Sequence, residues 1–287
     1  MSPFLTMKVD DVESFHWPTG KESAVAFTFD LDAEEVWLSE NPAYADQPVA
    51  LSQGVYGPAV AVPLLLDLLA RHDVRATFFV PGKVADRYPT TVKSISGAGH
   101  EIAHHGYRHD SPANMQPDEE ERELMDGRRS LELLGCEVVG YRAPSWAVSK
   151  CTIELLQRHG FSYSSNFMDT VMPYRHADTD VLELPVHWIL DDAAHFWFDT
   201  SSWSKKISTN SEAEEIWQAE FEGIAALGGI AVLTCHPQII GRPGRLPLLE
   251  RTIQRAKAVG SWVATCGEIA NYLRGDETSA VEGDSQT

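Results

Sequence analysis

Cysteine is scarce in this sequence: four in 287 residues, Cys136, Cys151, Cys235 and Cys266, with no CxxC pair among them. That spacing excludes a zinc ribbon and a thioredoxin-type redox site, and it leaves buried, reduced thiols as the expectation. Basic residues are also few, 23 Lys and Arg against 42 Asp and Glu, for a formal charge of -19. So acidic a chain is unsuited to nucleic acid or to an anionic membrane surface, because both require clustered cations to replace counterions. Long apolar runs are missing too. No unbroken stretch approaches the roughly 18 apolar residues of a membrane span, and the opening MSPFLTMKVDD has neither the basic nor the apolar region of an export signal. The chain as given is expected to be cytoplasmic.

What is present is core-forming material. Hydrophobic residues make up 43% of the chain, and a chain this long buries about three quarters of its unfolded surface without a disulfide or structural metal. A bound metal would therefore serve function. One catalytic domain is expected over residues 1–275, followed at 276–287 by an acidic, small-residue tail that cannot form a core and reads as disordered.

Between the ends, short β-branched or aromatic runs alternate with stretches of helical period, the pattern of βαβ units and a parallel sheet. Strands are predicted at Ala24–Phe29, Val74–Val80, Glu101–His105, Val138–Tyr141, Phe161–Ser164, Val181–Val186 and Ile230–Thr234. Helices are predicted at Ala59–His72, Pro89–Ala98, Pro117–Leu134, Lys150–Arg158, Ser211–Ala226 and Pro247–Val259. The segments Val36–Gly57 and His187–Trp203 read as long aromatic loops able to close over a small ligand. Parallel α/β architectures collect reactive residues just after strand ends.

Asp30 and Asp32 stand there in FTFDLD, and period-two spacing sends both side chains to one face, where they could share a cation or a proton. A lone DxD is also a common loop cap. His105 and His109 in HHGYRHD form an HxxxH pair, a metal half-site that also arises by chance. His104 alternates to the opposite face and reads as structural. Two imidazoles and one carboxylate would make an open, catalytic type of site. Arg142 in YRAPSW could orient one carboxylate, or else stack on Trp146 at the surface. His236 in LTCHP could act as a general acid, or be one more strand-end histidine. Asp191 and Asp192 could tune such a histidine or be solvated turn acids. Tyr56, Trp146 and Trp188 are candidate walls for a substrate, although aromatic loop residues more often simply pack.

Taken in order, TFDLD, HGYRH, RAPSW, LPVHWILDD and LTCHP resemble the motifs of the polysaccharide deacetylase family, the NodB-homology hydrolases, over about Ala24 to Leu273. The resemblance implies an α/β fold, a distorted (β/α) barrel with fewer than eight strands, with its core at 24–273. It also implies one divalent metal, most often Zn2+, held by Asp32, His105 and His109. Asp30 would then be the base that activates water, Arg142 its orienting partner, and His236 the acid that protonates the departing nitrogen.

Leu31 separates two aspartates that are adjacent in most members. In this the chain is similar to a subgroup with intracellular peptidoglycan-deacetylase-like proteins and cyclic imide hydrolases. The expected substrate is accordingly a small cyclic imide or related amide. An N-acetylated amino sugar is the alternative, followed by a metal-independent, allantoinase-like ureide hydrolase or a non-catalytic binding protein. Self-association into a homo-oligomer is a further expectation from the resemblance.

Overall fold

The strand β1 (Ala24–Asp30) is buried at every position, as a strand covered on both faces must be. Around it the computed structural model, which describes residues 15–198 and 206–275, builds a single sheet. Its other strands are β2 (Thr77–Val80), β3 (Glu101–His104), β4 (Gly140–Tyr141), β5 (Tyr163–Ser164), β6 (Tyr174–Arg175), β7 (Leu182–Glu183), β8 (Ile230–Cys235) and β9 (Trp262–Val263). Their order is β6-β7-β5-β4-β3-β2-β1-β8, and only the β6–β7 pair is antiparallel. β9 pairs with Ala24 and Val25, and β2 with Thr28 to Asp30, so the two share the lane opposite β8. Seven parallel lanes with one antiparallel edge curl into a distorted, open (β/α) barrel of the type the motifs imply, with eight lanes where fewer than eight strands are expected.

Side-chain alternation along β1 divides the core in two. Val25, Phe27, Phe29 and Leu31 join the larger cluster beneath the helices. Ala24 and Ala26 meet Phe79, Ala103, Tyr163, Leu182, Leu184 and Val232 in a second cluster inside the curl. Thr28 and Asp30 continue that inner face, so an apolar floor gives way to polar residues toward the strands' C-terminal ends.

The stretch read as a loop before Gly57 is mostly helical. Helices cover Glu35–Glu40 and Pro48–Tyr56, with a 3-10 turn at Pro42–Asp46 between them. The prolines there start helices rather than break them: Pro42 and Pro48 occupy first-turn positions, where no N–H is needed. Pro58 interrupts the ladder instead, and the backbone answers with a π-helical segment at Gly57–Ala61 before the helix resumes at Val62–Arg71. The whole run Pro48–Arg71 is long and apolar enough to span a membrane by length and composition alone. Here it lays Val62, Leu65, Leu68 and Leu69 against the core.

Short helices at Gly82–Arg87, Asp192–Phe196, Pro237–Ile240 and Cys266–Leu273, and strands β6 and β9, are additions to the sequence-based outline. All four cysteines are free, three of them buried. The acidic tail at 276–287 and residues 199–203 of the second aromatic loop lie outside the described residues.

Two contacts show how tightly the layers close. The Tyr163 ring covers Gly140, where an added Cβ would lie 1.8 Å from Cζ, and the Tyr163 hydroxyl donates to Glu101 Oε1 at 2.8 Å. His104 turns outward from β3: its Nε2 donates to the Leu124 carbonyl at 2.8 Å, and its Nδ1 accepts from the Gly106 N–H at 3.0 Å. Burial pushes this imidazole down from its ordinary 6.5 to about 3, so it stays neutral while the unfolded chain protonates.

Gly140→Ala should therefore lose about 1–3 kcal/mol or more in denaturant melts, and the same change should cost less in a Tyr163→Ala background. A proton taken up only on unfolding favours the unfolded chain as pH falls. The stability that His104 contributes is then complete above about pH 6.5 and is lost toward pH 3, at up to about 1.4 kcal/mol per unit. Melts of wild type against His104→Gln between those limits should differ in slope by about one proton.

Candidate metal centre

Parallel strands deliver the polar residues to one end of the barrel. Asp30 ends β1, His105 follows β3, Arg142 follows β4 and His236 follows β8. Pairing with β2 runs past the end of β1, because the Leu31 N–H donates to the Phe79 carbonyl at 2.9 Å. That bond, with Leu31 buried in the outer core, fixes where Asp32 emerges.

Arg142 is fully buried. Nη1 donates to Asp30 Oδ1 at 2.7 Å and Thr28 Oγ1 at 2.9 Å, and Nη2 donates to Ser165 Oγ at 3.0 Å. The guanidinium also lies 4.0 Å from the Phe79 ring centroid. A charge so far from water is tolerated only when paired and hydrogen-bonded. Asp30 is held by it in one orientation.

His105 and His109 converge on Asp32. Their Nε2 atoms lie 3.4 Å and 3.6 Å from Asp32 Oδ1, an oxygen that is buried without any hydrogen bond. His105 Nδ1 donates to the Arg142 carbonyl at 2.7 Å, which leaves the Nε2 lone pair free to ligate. His109 Nδ1 faces Ser39 Oγ at 3.3 Å. Burial pushes the His109 imidazole down to about 4, the neutral form a metal requires. Burial would also raise the Asp32 carboxyl, but His109, His105 and His236 outweigh it and hold it at about 2. One ligand atom from each of Asp32, His105 and His109 falls within 4.8 Å of the others. An orphaned carboxylate oxygen facing two free imidazole nitrogens fits a divalent cation with positions left open.

On the other side of Asp32, His236 Nε2 stands 3.7 Å from Oδ2. Asp192 grips this histidine twice, accepting from Nδ1 at 2.7 Å and from the backbone N–H at 2.9 Å. Asp191 is 3.8 Å from Nδ1 but caps its own helix, accepting from the Ala193 N–H at 2.7 Å. Burial opposes a charged ring at His236, yet Asp192, Asp191 and Asp32 prevail and raise its pKa well above the usual 6.5. Burial likewise raises both acids, Asp191 to about 7, against the pull of His236.

Eight of the expected polar residues are thus brought together: Asp30, Asp32, His105, His109, Arg142, Asp191, Asp192 and His236. Trp146 is buried and packs edge-on against Trp188, with centroids 4.5 Å apart, while Trp188 remains half exposed. The Tyr56 hydroxyl donates to the Gly241 carbonyl at 3.1 Å and its ring lies under Arg242, both in the segment that follows His236. Sequence reasoning missed Thr28, Ser165 and Ser39. Thr28 was accessible, two residues before Asp30 on the same face; Ser165 and Ser39 carry no pattern of their own.

Comparison with known proteins agrees with this fold. A polysaccharide deacetylase family model matches residues 55–164. A peptidoglycan deacetylase of Helicobacter pylori is 31% identical over 88% of this chain and 96% of its own length. The crystal structure of a Mycobacterium smegmatis protein assigned as a polysaccharide deacetylase superposes with a TM-score of 0.87 at 42% identity, over 95% of this chain and 97% of that one. The PuuE allantoinase structure shares the fold at 23% identity, with a TM-score of 0.78 over 91% and 93% of the two chains. Similarity that runs nearly end to end, through a fold reached independently from strand order and register, places this chain in the polysaccharide deacetylase family of metal-dependent amide hydrolases.

Proposed function

We propose that the protein hydrolyses the amide carbon–nitrogen bond of a small cyclic imide or related cyclic amide, using Zn2+ or a similar divalent cation. The reading of a small substrate is carried by the burial of the polar set, and a group of unpaired buried atoms accompanies it. Trp146 Nε1 and both amide atoms of Gln238 lack hydrogen-bond partners, and both residues follow strands at the reactive end, β4 and β8. Buried polar atoms are rarely left unpaired without a reason. The burial of Asp30, Asp32, His105 and His109 favours a compact substrate. N-deacetylation of an amino sugar is the second reading, favoured by the extended similarity to the Helicobacter pylori peptidoglycan deacetylase.

Both readings use the same chemistry. A divalent cation on Asp32, His105 and His109 supplies Lewis-acid activation of water and of the substrate carbonyl. Asp30, fixed by Arg142, accepts the proton that the attacking water loses. The new carbon–oxygen bond makes a tetrahedral carbon, and collapse expels nitrogen, which needs a proton to leave. His236 gives that proton from Nε2 while Asp192 stays bonded to Nδ1. The neighbouring carboxylates of Asp192 and Asp191 favour the charged form of that ring.

His236→Ala should lower turnover by about 10²- to 10⁴-fold, the range for loss of a general acid, while metal content stays at the wild-type level. Metal loss in that variant would instead make His236 a ligand. A panel of succinimide, hydantoin, allantoin, phthalimide, N-acetylglucosamine oligomers and a peptidoglycan fragment, run with chelation and metal add-back, separates the substrate readings. Metal-dependent ring opening is the expected result. Acetate release from the sugars alone would move the assignment to deacetylation, and activity that survives complete chelation would contradict the metal-dependent mechanism.

A further inference from the structure

The two histidines at Asp32 are supported unequally. His105 is oriented by a main-chain carbonyl at 2.7 Å, a support that no side-chain change at Arg142 can remove. His109 is oriented by a side chain from a different part of the fold, Ser39 of the helix Glu35–Glu40. We propose that Ser39 is a positioning residue for the metal site, holding the His109 ring so that Nε2 is offered to the cation. This rests on the metal reading given above.

The hydrogen-bond directions make the assignment specific. The Ser39 hydroxyl donates to the Val36 carbonyl at 3.3 Å, one helical turn back. Its single proton is then committed, so toward His109 the oxygen can only accept. With the Val36 bond kept, the proton between Ser39 Oγ and His109 Nδ1, 3.3 Å apart, is placed on the imidazole by this proposal. Nδ1 is protonated and Nε2, facing Asp32 at 3.6 Å, carries the lone pair. Both Ser39 bonds are long, so the restraint is weaker than the one on His105.

The backbone beneath His109 is fixed separately. Its φ of 63° lies in the left-handed region that a residue with a Cβ seldom adopts. Neighbouring bonds hold it there: the N–H groups of Gly82 and Lys83 donate to the carbonyls of Gly106 and Tyr107 at 3.0 Å and 2.8 Å, and the Arg108 N–H donates to Glu123 at 3.1 Å. What these bonds leave free is rotation and tautomer of the ring, the two variables Ser39 controls.

The carrier of Ser39 is rigid. Arg87 pairs with Glu34 and Glu35 at 3.1 Å each, the Tyr88 hydroxyl donates to Glu34 at 2.8 Å, and Trp37 stacks on Trp197 at 5.1 Å. Removing one hydroxyl from this helix should leave the fold intact, since Ala is the better helix former.

The test is zinc affinity, measured by competition with a chromophoric chelator, in wild type, Ser39→Ala, Ser39→Thr and Asp32→Ala, with melting of each metal-free protein alongside. Ser39→Ala should bind zinc about 10- to 100-fold more weakly, the usual worth of a group that orients a metal-bound histidine. Its metal-free melting temperature should match wild type, and Ser39→Thr, which keeps the acceptor oxygen, should restore most of the affinity. Wild-type affinity in Ser39→Ala, with zinc lost in Asp32→Ala, overturns the role of Ser39 and leaves the metal site standing. Loss of affinity that comes with a lowered metal-free melting temperature and no rescue by Thr makes Ser39 structural and also overturns the proposal. A wild-type protein that binds no zinc overturns both readings.

Discussion

The arrangement at the mouth of the barrel depends on burying one guanidinium. Arg142 has no exposed surface, and a charge in that position must be matched by acceptors or the fold would carry an uncompensated penalty of several kcal/mol. The match comes from three strands: Thr28 and Asp30 from β1, Ser165 beyond β5, and the face of Phe79 from β2. Meeting that demand draws Asp30 into one orientation. The main chain of the same residue supplies the carbonyl that orients His105. One residue thereby fixes Asp30 through its side chain and His105 through its backbone.

A second restraint acts from the far side. Asp192 accepts from both the ring and the backbone of His236, so the ring cannot turn without breaking a charge-assisted bond in a buried setting. The two restraints do not share residues, yet both converge on Asp32, whose oxygens face His105 and His109 on one side and His236 on the other. Under the proposed mechanism this separates the base from the acid, as a hydrolysis that needs the two in succession requires.

Much of this was legible in the sequence because it follows from period and position. Asp30, His105, Arg142 and His236 stand at the ends of apolar strand runs, and in a parallel sheet those ends meet. The helix Cys266–Leu273 was equally open to reading: Thr265 and Glu268 form a capping box, whose Thr-x-x-Glu spacing is visible in one dimension. The segment after Asp32 was harder, since Pro42, Pro48 and Pro58 look alike on paper. Two of them begin helical turns and the third deforms one, and only packing against the rest of the fold distinguishes the cases. Ser39 could not be found from sequence, because its meaning depends on a contact across 70 residues. Tyr56 stands in a segment that reads as a loop and forms a helix, where its contacts are with Gly241 and Arg242.

Asp32, His105 and His109 are proposed to form a divalent-metal site built on the Arg142 scaffold. The most direct measurement is elemental analysis of the full chain, purified without added metal and dialysed, for wild type and Asp32→Ala side by side. A single divalent cation per wild-type chain, with none retained by a folded Asp32→Ala, is the result predicted here. No bound metal in wild type even after zinc is supplied, or equal metal in both proteins, would contradict it.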